Sequence, residues 1–281
     1  MTKSVHHEYV PEQTIGAGIA GTVVSARDTK SNTTVAIKVI NLASKAELQS
    51  YKNEVAVAKR IRSSKSAPSV CEIFDVYKED DIGYCVMKKY KYDLFDMCFE
   101  QNISFSEEKA KRLFKEICIG VKSLHDKGVA HLDLKPENIL LDEKGAAYLC
   151  DFGSSYVSRG ARTISKGQRC IVRDLGVRGT IEYCSPEVFK GEPEYDPFKS
   201  DIFSLGVILH VILTQSYPYS DDHVVNFQYT KDLLSTECMD LLQSMLCVCP
   251  EDRKPINQIL KHPWLRDHRT RSLTSLLGLS R

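Results

Sequence analysis

Between His131 and Gly153 the chain reads HLDLKPENILLDEKGAAYLCDFG, and this stretch constrains the rest more than any other. Two short apolar runs, Ile139 to Leu141 and Ala147 to Cys150, flank the polar turn Asp142 to Gly145. Apolar, turn, apolar at that length is the pattern of a hairpin. A hairpin closes on itself, so Asn138, just before the first strand, and Asp151, just after the second, arrive at the same end. Asp133 and Lys135 lie immediately upstream. Two converging oxygen ligands with a cation beside them are what a magnesium-bound phosphate requires.

Such a site needs a sizeable fold around it. At 281 residues with 42% hydrophobic content, the chain can bury a substantial core, as one large domain or two small lobes. Its 38 basic and 37 acidic residues leave no bulk field to attract nucleic acid or a membrane surface. The N-terminal MTKSVHHEYV has no apolar core, so a secretory signal is not expected. The longest apolar stretch, Leu205 to Leu213, is expected to be too short for a membrane span and contains His210. Ten cysteines without such a signal read as thiols of an intracellular protein, cytoplasmic or nuclear, rather than as disulfides. Cys247-Val248-Cys249 lacks the paired spacing of a zinc site.

Tyr9 to Arg27 alternates around Gly16, Gly18 and Gly21 and reads as two strands joined by a tight glycine loop. Glycine lets backbone amides approach phosphate oxygens with no side chain between. Dinucleotide-binding folds share this pattern but open a helix after the third glycine. Here Thr22-Val23-Val24-Ser25-Ala26 follows, which is β-branched and strand-like. A third strand, Thr33 to Ile40, carries one charge, Lys38, in its middle. In isolation Lys38 reads as an edge-strand lysine facing water; the alternative is a lysine met by an anion. Glu54 could be that anion. It lies in a helical segment where Leu48, Tyr51, Val55 and Ala58 share one face.

Cys71 to Lys78 and Ile82 to Lys88, parted by the acidic turn Glu79-Asp80-Asp81, add two more strands to this small lobe. Lys88 to Leu94 reads as the crossing into a second, mostly helical lobe. Its first strong helix starts after Ser106, a plausible N-cap followed by Glu107 and Glu108 in the first turn. Ala110, Leu113, Phe114, Ile117, Val121 and Leu124 form its apolar face, which spacing assigns to the core.

Taken together, Gly16 to Val23 (GAGIAGTV), Val35 to Lys38 (VAIK), Glu54, HLDLKPEN, Asp151-Phe152-Gly153 and Ser185-Pro186-Glu187 resemble the eukaryotic protein kinases in order and spacing. The resemblance runs from Tyr9 to Leu265 and is closest to the serine/threonine class, with a calcium/calmodulin-dependent-kinase-like cast. It implies an α+β, bilobal fold. A five-stranded antiparallel sheet and one helix would form the N-lobe, about 9–88, and a mainly helical C-lobe would span about 93–265. Residues 1–8 would be a short extension and 266–281 a tail. Asp201 to Gly206 resembles the central helix of the large lobe, Arg253 the arginine that pairs with Glu187, and His262-Pro263-Trp264 the usual end of such domains.

The same resemblance assigns roles. The glycine loop, Ile15, Gly16, Ala17, Gly18, Ile19, Ala20, Gly21, Thr22 and Val23, would cover the phosphates of ATP. Lys38, held by Glu54, would contact the α and β phosphates, and Val23, Ala36 and Leu140 would enclose the adenine. Asn138 and Asp151 would hold Mg2+, Asp133 would orient the hydroxyl of a protein substrate and accept its proton, and Lys135 would sit against the γ-phosphate. Lys135 and Thr180 both match the serine/threonine class. A pseudokinase scaffold would share the fold, but such chains typically lose the counterparts of Lys38, Asp133 or Asp151, and all three are present. A monomer is expected.

Departures from the family pattern bear on regulation. Where most relatives carry His-Arg-Asp, this chain has His131-Leu132-Asp133. The missing arginine normally binds a phosphate on the activation loop, so activity is expected without phosphorylation there. That loop, Ser154 to Gly179, carries Arg159, Arg162, Lys166, Arg169, Arg173 and Arg178 against Asp174; a solvated, mobile loop is preferred here over a surface for acidic partners. Val211 stands where arginine-directed relatives carry glutamate, and Cys150 reads as a small buried apolar residue. Ala58 stands where relatives place a larger apolar side chain above Phe152. Ala58→Leu is therefore expected to raise basal turnover; an unchanged or lower rate in a steady-state assay refutes this.

Overall fold

The computed structural model describes residues 8–18, 21–62, 67–101, 103, 105–158, 169–219, 224–228, 230 and 232–266. Ile19 and Ala20 of the glycine loop, Arg159, Arg162 and Lys166, and the tail beyond Arg266 lie outside them.

The β-branched runs near the N-terminus form strands as their alternation requires. They are β1 (Tyr9–Gly18), β2 (Gly21–Asp28), β3 (Thr34–Asn41), β4 (Ile73–Glu79) and β5 (Ile82–Lys88), in an antiparallel five-stranded sheet of order β1-β2-β3-β5-β4. The strand boundaries differ from the sequence reading by a residue or two. Helix α1 (Lys45–Arg62) covers one face of the sheet. Strand β3 is interior, and this overturns the reading of Lys38 as an edge-strand lysine. The residue is 4% exposed. Val23 pairs with Lys38 in register and Ala36 lies two residues away on the same strand, so all three share one face.

Strand β6 (Tyr92–Asp93) follows the crossing, and α2 (Glu107–Asp126) begins the helical lobe. Ser106 caps that helix, its Oγ accepting from Lys109 N at 3.4 Å. Strand β7 (Val129–Ala130) precedes the expected hairpin, β8 (Ile139–Leu141) and β9 (Ala147–Leu149). Asp142 turns it: its carbonyl accepts from Gly145 N at 2.9 Å and its carboxylate from Lys144 N and Ala146 N. Strand β10 (Tyr156–Val157) pairs with β7, and β11 (Val172–Arg173) pairs with β12 (Glu194–Tyr195). Cys71 N donates to Leu149 O at 2.8 Å and Leu149 N to Ser69 O at 3.0 Å, lacing the small lobe to the hairpin.

Helices α3 (Pro186–Phe189), α4 (Pro197–Thr214), α5 (Thr236–Met245) and α6 (Ile256–Ile259) complete the large lobe. Asp196 caps α4, accepting from Phe198 N at 3.0 Å, with Pro197 at the first helical position. At 18 residues α4 is long and apolar enough to cross a membrane, contrary to the expectation of too short a run; 83% of it is buried inside the protein, against α2 and α5. Ile202, Phe203, Leu205, Ile208 and Leu209 meet Phe114, Ile117 and Leu242 in one continuous core.

Arg253 closes this lobe. Its guanidinium donates to Glu187 Oε1 and Oε2 at 2.7 Å each, and to the carbonyls of Cys247, Lys199 and Val248 at 2.8, 3.0 and 3.0 Å. Every N–H of the fork is used, which is how a charge 1% exposed is tolerated. Arg253→Met strands the buried Glu187 carboxylate and three carbonyls. Urea denaturation of that variant is expected to show a loss of about 3–5 kcal/mol.

Candidate active site

Lys38 is the centre of the site. Its Nζ lies 2.9 Å from Glu54 Oε1, on α1, and 2.7 Å from Asp151 Oδ1, just past β9. Burial alone would push the ammonium down, but Glu54 and Asp151 outweigh it and the group is held well above the ordinary lysine range. Burial raises the Glu54 carboxyl, with Lys38 opposing. Burial acts the same way on Asp151, but there the attraction to Lys38 wins and the carboxyl is lowered. Both carboxylates thus lie within hydrogen-bond distance of the one cation. Glu54 Oε1 also accepts from Phe152 N at 3.2 Å, and Asp151 Oδ1 from Gly153 N at 3.2 Å.

The loop from His131 to Asn138 is held from beneath by α4. Asp201 Oδ2 accepts from His131 N at 2.8 Å and lies 2.9 Å from His125 Nε2, while its Oδ1 accepts from Leu132 N at 2.8 Å. Those bonds fix Leu132 at φ +62°, a left-handed conformation that costs a bulky residue about 1–2 kcal/mol. The bend presents Asp133. Its Oδ1 accepts from Thr180 N and Thr180 Oγ1, both at 2.9 Å, and its Oδ2 from Asn138 Nδ2 at 3.1 Å. Lys135 Nζ donates to Thr180 Oγ1 at 2.8 Å and stands 3.8 Å from Asp133 Oδ2. Gly179, at φ +81°, lets this approach happen, because a Cβ there would fall 2.2 Å from Leu132 O.

Asn138 and Asp151 do meet at one end of the hairpin: Cys150 N donates to Asn138 O at 3.0 Å. Asn138 Nδ2 donates to both the carbonyl and the carboxylate of Asp133, leaving Oδ1 as the oxygen able to serve a cation. One amide oxygen and one carboxylate fit magnesium, which takes its other ligands from phosphate and water. Among the described residues no group of three or more His, Cys, Asp or Glu is gathered for a metal.

The rest of the expected nucleotide site is brought to the same cleft in part. Ile15, Gly16, Ala17 and Gly18 lie on β1 and Gly21, Thr22 and Val23 on β2, with Gly18 paired to Gly21. Gly21 has φ +125° and its hydrogen faces Val39 O, where a Cβ would stand at 2.4 Å. Leu140, on β8, is half-buried between buried neighbours. Ile19 and Ala20 lie outside the described residues.

Several participants escaped the sequence reading. Asn53 Nδ2 donates to Gly153 O at 2.7 Å, and Arg60 to Lys127 O at 3.2 Å and Ser158 O at 3.1 Å. Both lie on α1 at a spacing that returns to one helix face, the available signal. Each of the activation loop's described arginines has a partner. Arg169 pairs with Glu251 at 2.7 Å and Arg173 with Glu194 at 2.9 Å, both at the surface, and Arg178 is half-buried against backbone carbonyls. For Arg178, then, the reading as part of a solvated loop does not hold.

Residues 9–265 match the family model described as the protein kinase domain. The chain belongs to the protein kinase family. It is 31% identical over 265 residues to the carbon catabolite-derepressing protein kinase of Candida glabrata, covering 90% of this chain and 41% of that protein. It is 30% identical over 300 residues to the serine/threonine-protein kinase GIN4 of Saccharomyces cerevisiae, covering 96% of this chain and 25% of that one. The chain spans between 25% and 64% of the length of the first curated relatives it matches.

In this kinase domain Lys38 is also the counter-charge to the buried Glu54 carboxylate and the half-buried Asp151. In Lys38→Met, Glu54 should hold a proton in the folded state that the unfolded chain releases above the ordinary value of 4.5. More protons bound in the folded state means stability lost as pH rises. Urea midpoints of the variant are expected to fall more steeply than those of the parent as pH is raised from 4.5 towards neutrality.

Proposed function

We propose that this domain transfers the γ-phosphoryl group of ATP to serine and threonine hydroxyls of protein substrates. The observation that carries the proposal is the pairing of a Lys38–Glu54–Asp151 cluster with an Asp133 carboxylate fixed by Thr180 and Asn138. Lys38 would hold the α and β phosphates under the glycine loop, with Val23, Ala36 and Leu140 around the adenine. Magnesium, held by Asn138 and Asp151, would supply the positive charge that neutralises the phosphate oxygens.

The substrate hydroxyl oxygen bonds to the γ-phosphorus as the bond from that phosphorus to the bridging oxygen of ADP breaks. The hydroxyl proton passes to Asp133, and ADP leaves. Lys135 sits beside Asp133 and offers its ammonium to the transferring group. The protein's work is placement: aligning the hydroxyl and supplying fixed charge where it develops.

Leu132, buried at 6% exposure among Ala130, Cys184, Val188, Tyr195 and Phe198, supports a second element of the proposal, turnover without a phosphate on the activation loop. We further read the domain as a monomer acting on proteins, with neither nucleic acid nor membrane as partner, on its nearly balanced charge of 38 basic against 37 acidic residues. A reducing compartment, cytoplasmic or nuclear, suits ten free cysteines that are mostly buried.

Labelled ATP, magnesium and a generic protein substrate test the chemistry. Asp133→Asn is expected to lower transfer by about 10²–10⁴-fold, and ATP binding without transfer by the parent would sink the proposal. Phosphatase treatment of the parent is expected to leave turnover within about twofold, since no cation at residue 132 awaits a phosphate.

A further inference from the structure

Arg178 sits at a junction that the nucleotide and hydroxyl sites share. Its Nη1 donates to Ser154 O at 2.9 Å and Ser155 O at 3.2 Å, and its Nε donates to Leu175 O at 3.1 Å. Ser154 and Ser155 belong to the turn that leaves Asp151, closed by Ser155 N donating to Phe152 O at 3.1 Å. Ser155 is itself pinned, its Oγ donating to His131 O at 3.3 Å. On the other side, Arg178 precedes Gly179 and Thr180, and Thr180 is what fixes Asp133 Oδ1.

One guanidinium therefore ties the segment that carries Asp151 to the segment that orients Asp133. The carbonyls it meets are not otherwise part of a strand ladder, so the cation supplies their hydrogen bonds. An ion donating to three carbonyl dipoles makes charge-assisted bonds, stronger than neutral ones. Beside it lies an apolar cluster, with Leu132 packed on Tyr195 and Phe198 and with Tyr156, Cys170 and Leu175 against them. Tyr195 also donates from its hydroxyl to Gly176 O at 3.1 Å. The two ends of the activation segment are thus joined by an internal cation and seated on an apolar floor.

We propose that Arg178 is a positioning residue for phosphoryl transfer, an internal cation that orders Thr180, and through it Asp133, in place of an acquired phosphate. This rests on the reading of the domain as a protein kinase. The hydrogen bonds of Arg178 go to backbone carbonyls, so it acts through Thr180. Losing it should disturb the placement of Asp133 while leaving Lys38, Glu54 and Asp151 paired to each other. The expected signature is a fall in kcat with the KM for ATP preserved.

The test uses the full chain with Arg178→Ala and Arg178→Lys. Arg178→Ala is expected to lower kcat about tenfold or more while the KM for ATP stays within about twofold, because small misplacement of a reacting group is costly in rate. Millimolar ethylguanidinium should restore part of that rate, and Arg178→Lys should retain an intermediate rate, since a lysine keeps the charge without the fork. Hydrogen exchange at the Ser155 and Thr180 amides should quicken in Arg178→Ala. An unchanged kcat, or a loss in which the KM for ATP rises in step and ethylguanidinium rescues nothing, overturns the proposal. A parent chain that transfers no phosphate overturns the kinase reading instead. Exchange then decides the role of Arg178 alone: rates at Ser155 and Thr180 equal in parent and Arg178→Ala refute it.

Discussion

One buried ammonium holds the arrangement together. Lys38 comes from the middle of the sheet, Glu54 from the helix that covers it, and Asp151 from the far side of the cleft. Neither Lys38 nor Glu54 could be buried charged without a partner, because desolvation of each is worth several kcal/mol, and the half-buried Asp151 adds a second counter-charge. The sheet, helix α1 and the hairpin are therefore fixed relative to each other by one electrostatic condition. The same condition leaves Phe152 and Gly153 tied to the carboxylates through their amides.

The other half of the site depends on a different physical device, strain held by a rigid base. Helix α4 is buried almost throughout, and Asp201 projects from it to satisfy the amides of His131 and Leu132. That makes the left-handed Leu132 tolerable and presents Asp133 beyond it. Thr180 then completes the carboxylate's surroundings from a segment distant in sequence. The loop from His131 to Asn138 is thus fixed from below by an apolar helix and from the side by the activation segment. Elsewhere in the lobe Arg253 is buried with all its donors used.

Much of this was legible in the residues. The β-branched runs, the capped helix after Ser106 and the apolar–turn–apolar hairpin each depend on local periodicity, and the strands fall within a residue or two of where that periodicity puts them. The convergence of Asn138 and Asp151 follows from hairpin geometry alone. Lys38 was harder. Its strand is interior, and whether a strand is interior or at an edge is a property of sheet order, which local alternation does not encode. The apolar run of α4 posed the same difficulty. Length and composition suit a membrane span, and only the helices packed around it show that it is a core element. Asn53, Arg60 and Arg178 act on backbone carbonyls, and a carbonyl leaves no mark in the sequence for its partner to be read from.

The sequence by itself determined the element types, the hairpin ends and the set of charged residues available for phosphate chemistry, because these depend on spacing and residue chemistry within short windows. Only the tertiary structure decided how the charges are paired. Glu54 and Asp151 both meet Lys38, Asp133 is oriented by Thr180, and Arg178 joins the two ends of the activation segment. Those outcomes depend on distances of about 3 Å between groups far apart in the chain, where desolvation and hydrogen-bond geometry set the energy. No local pattern carries that information.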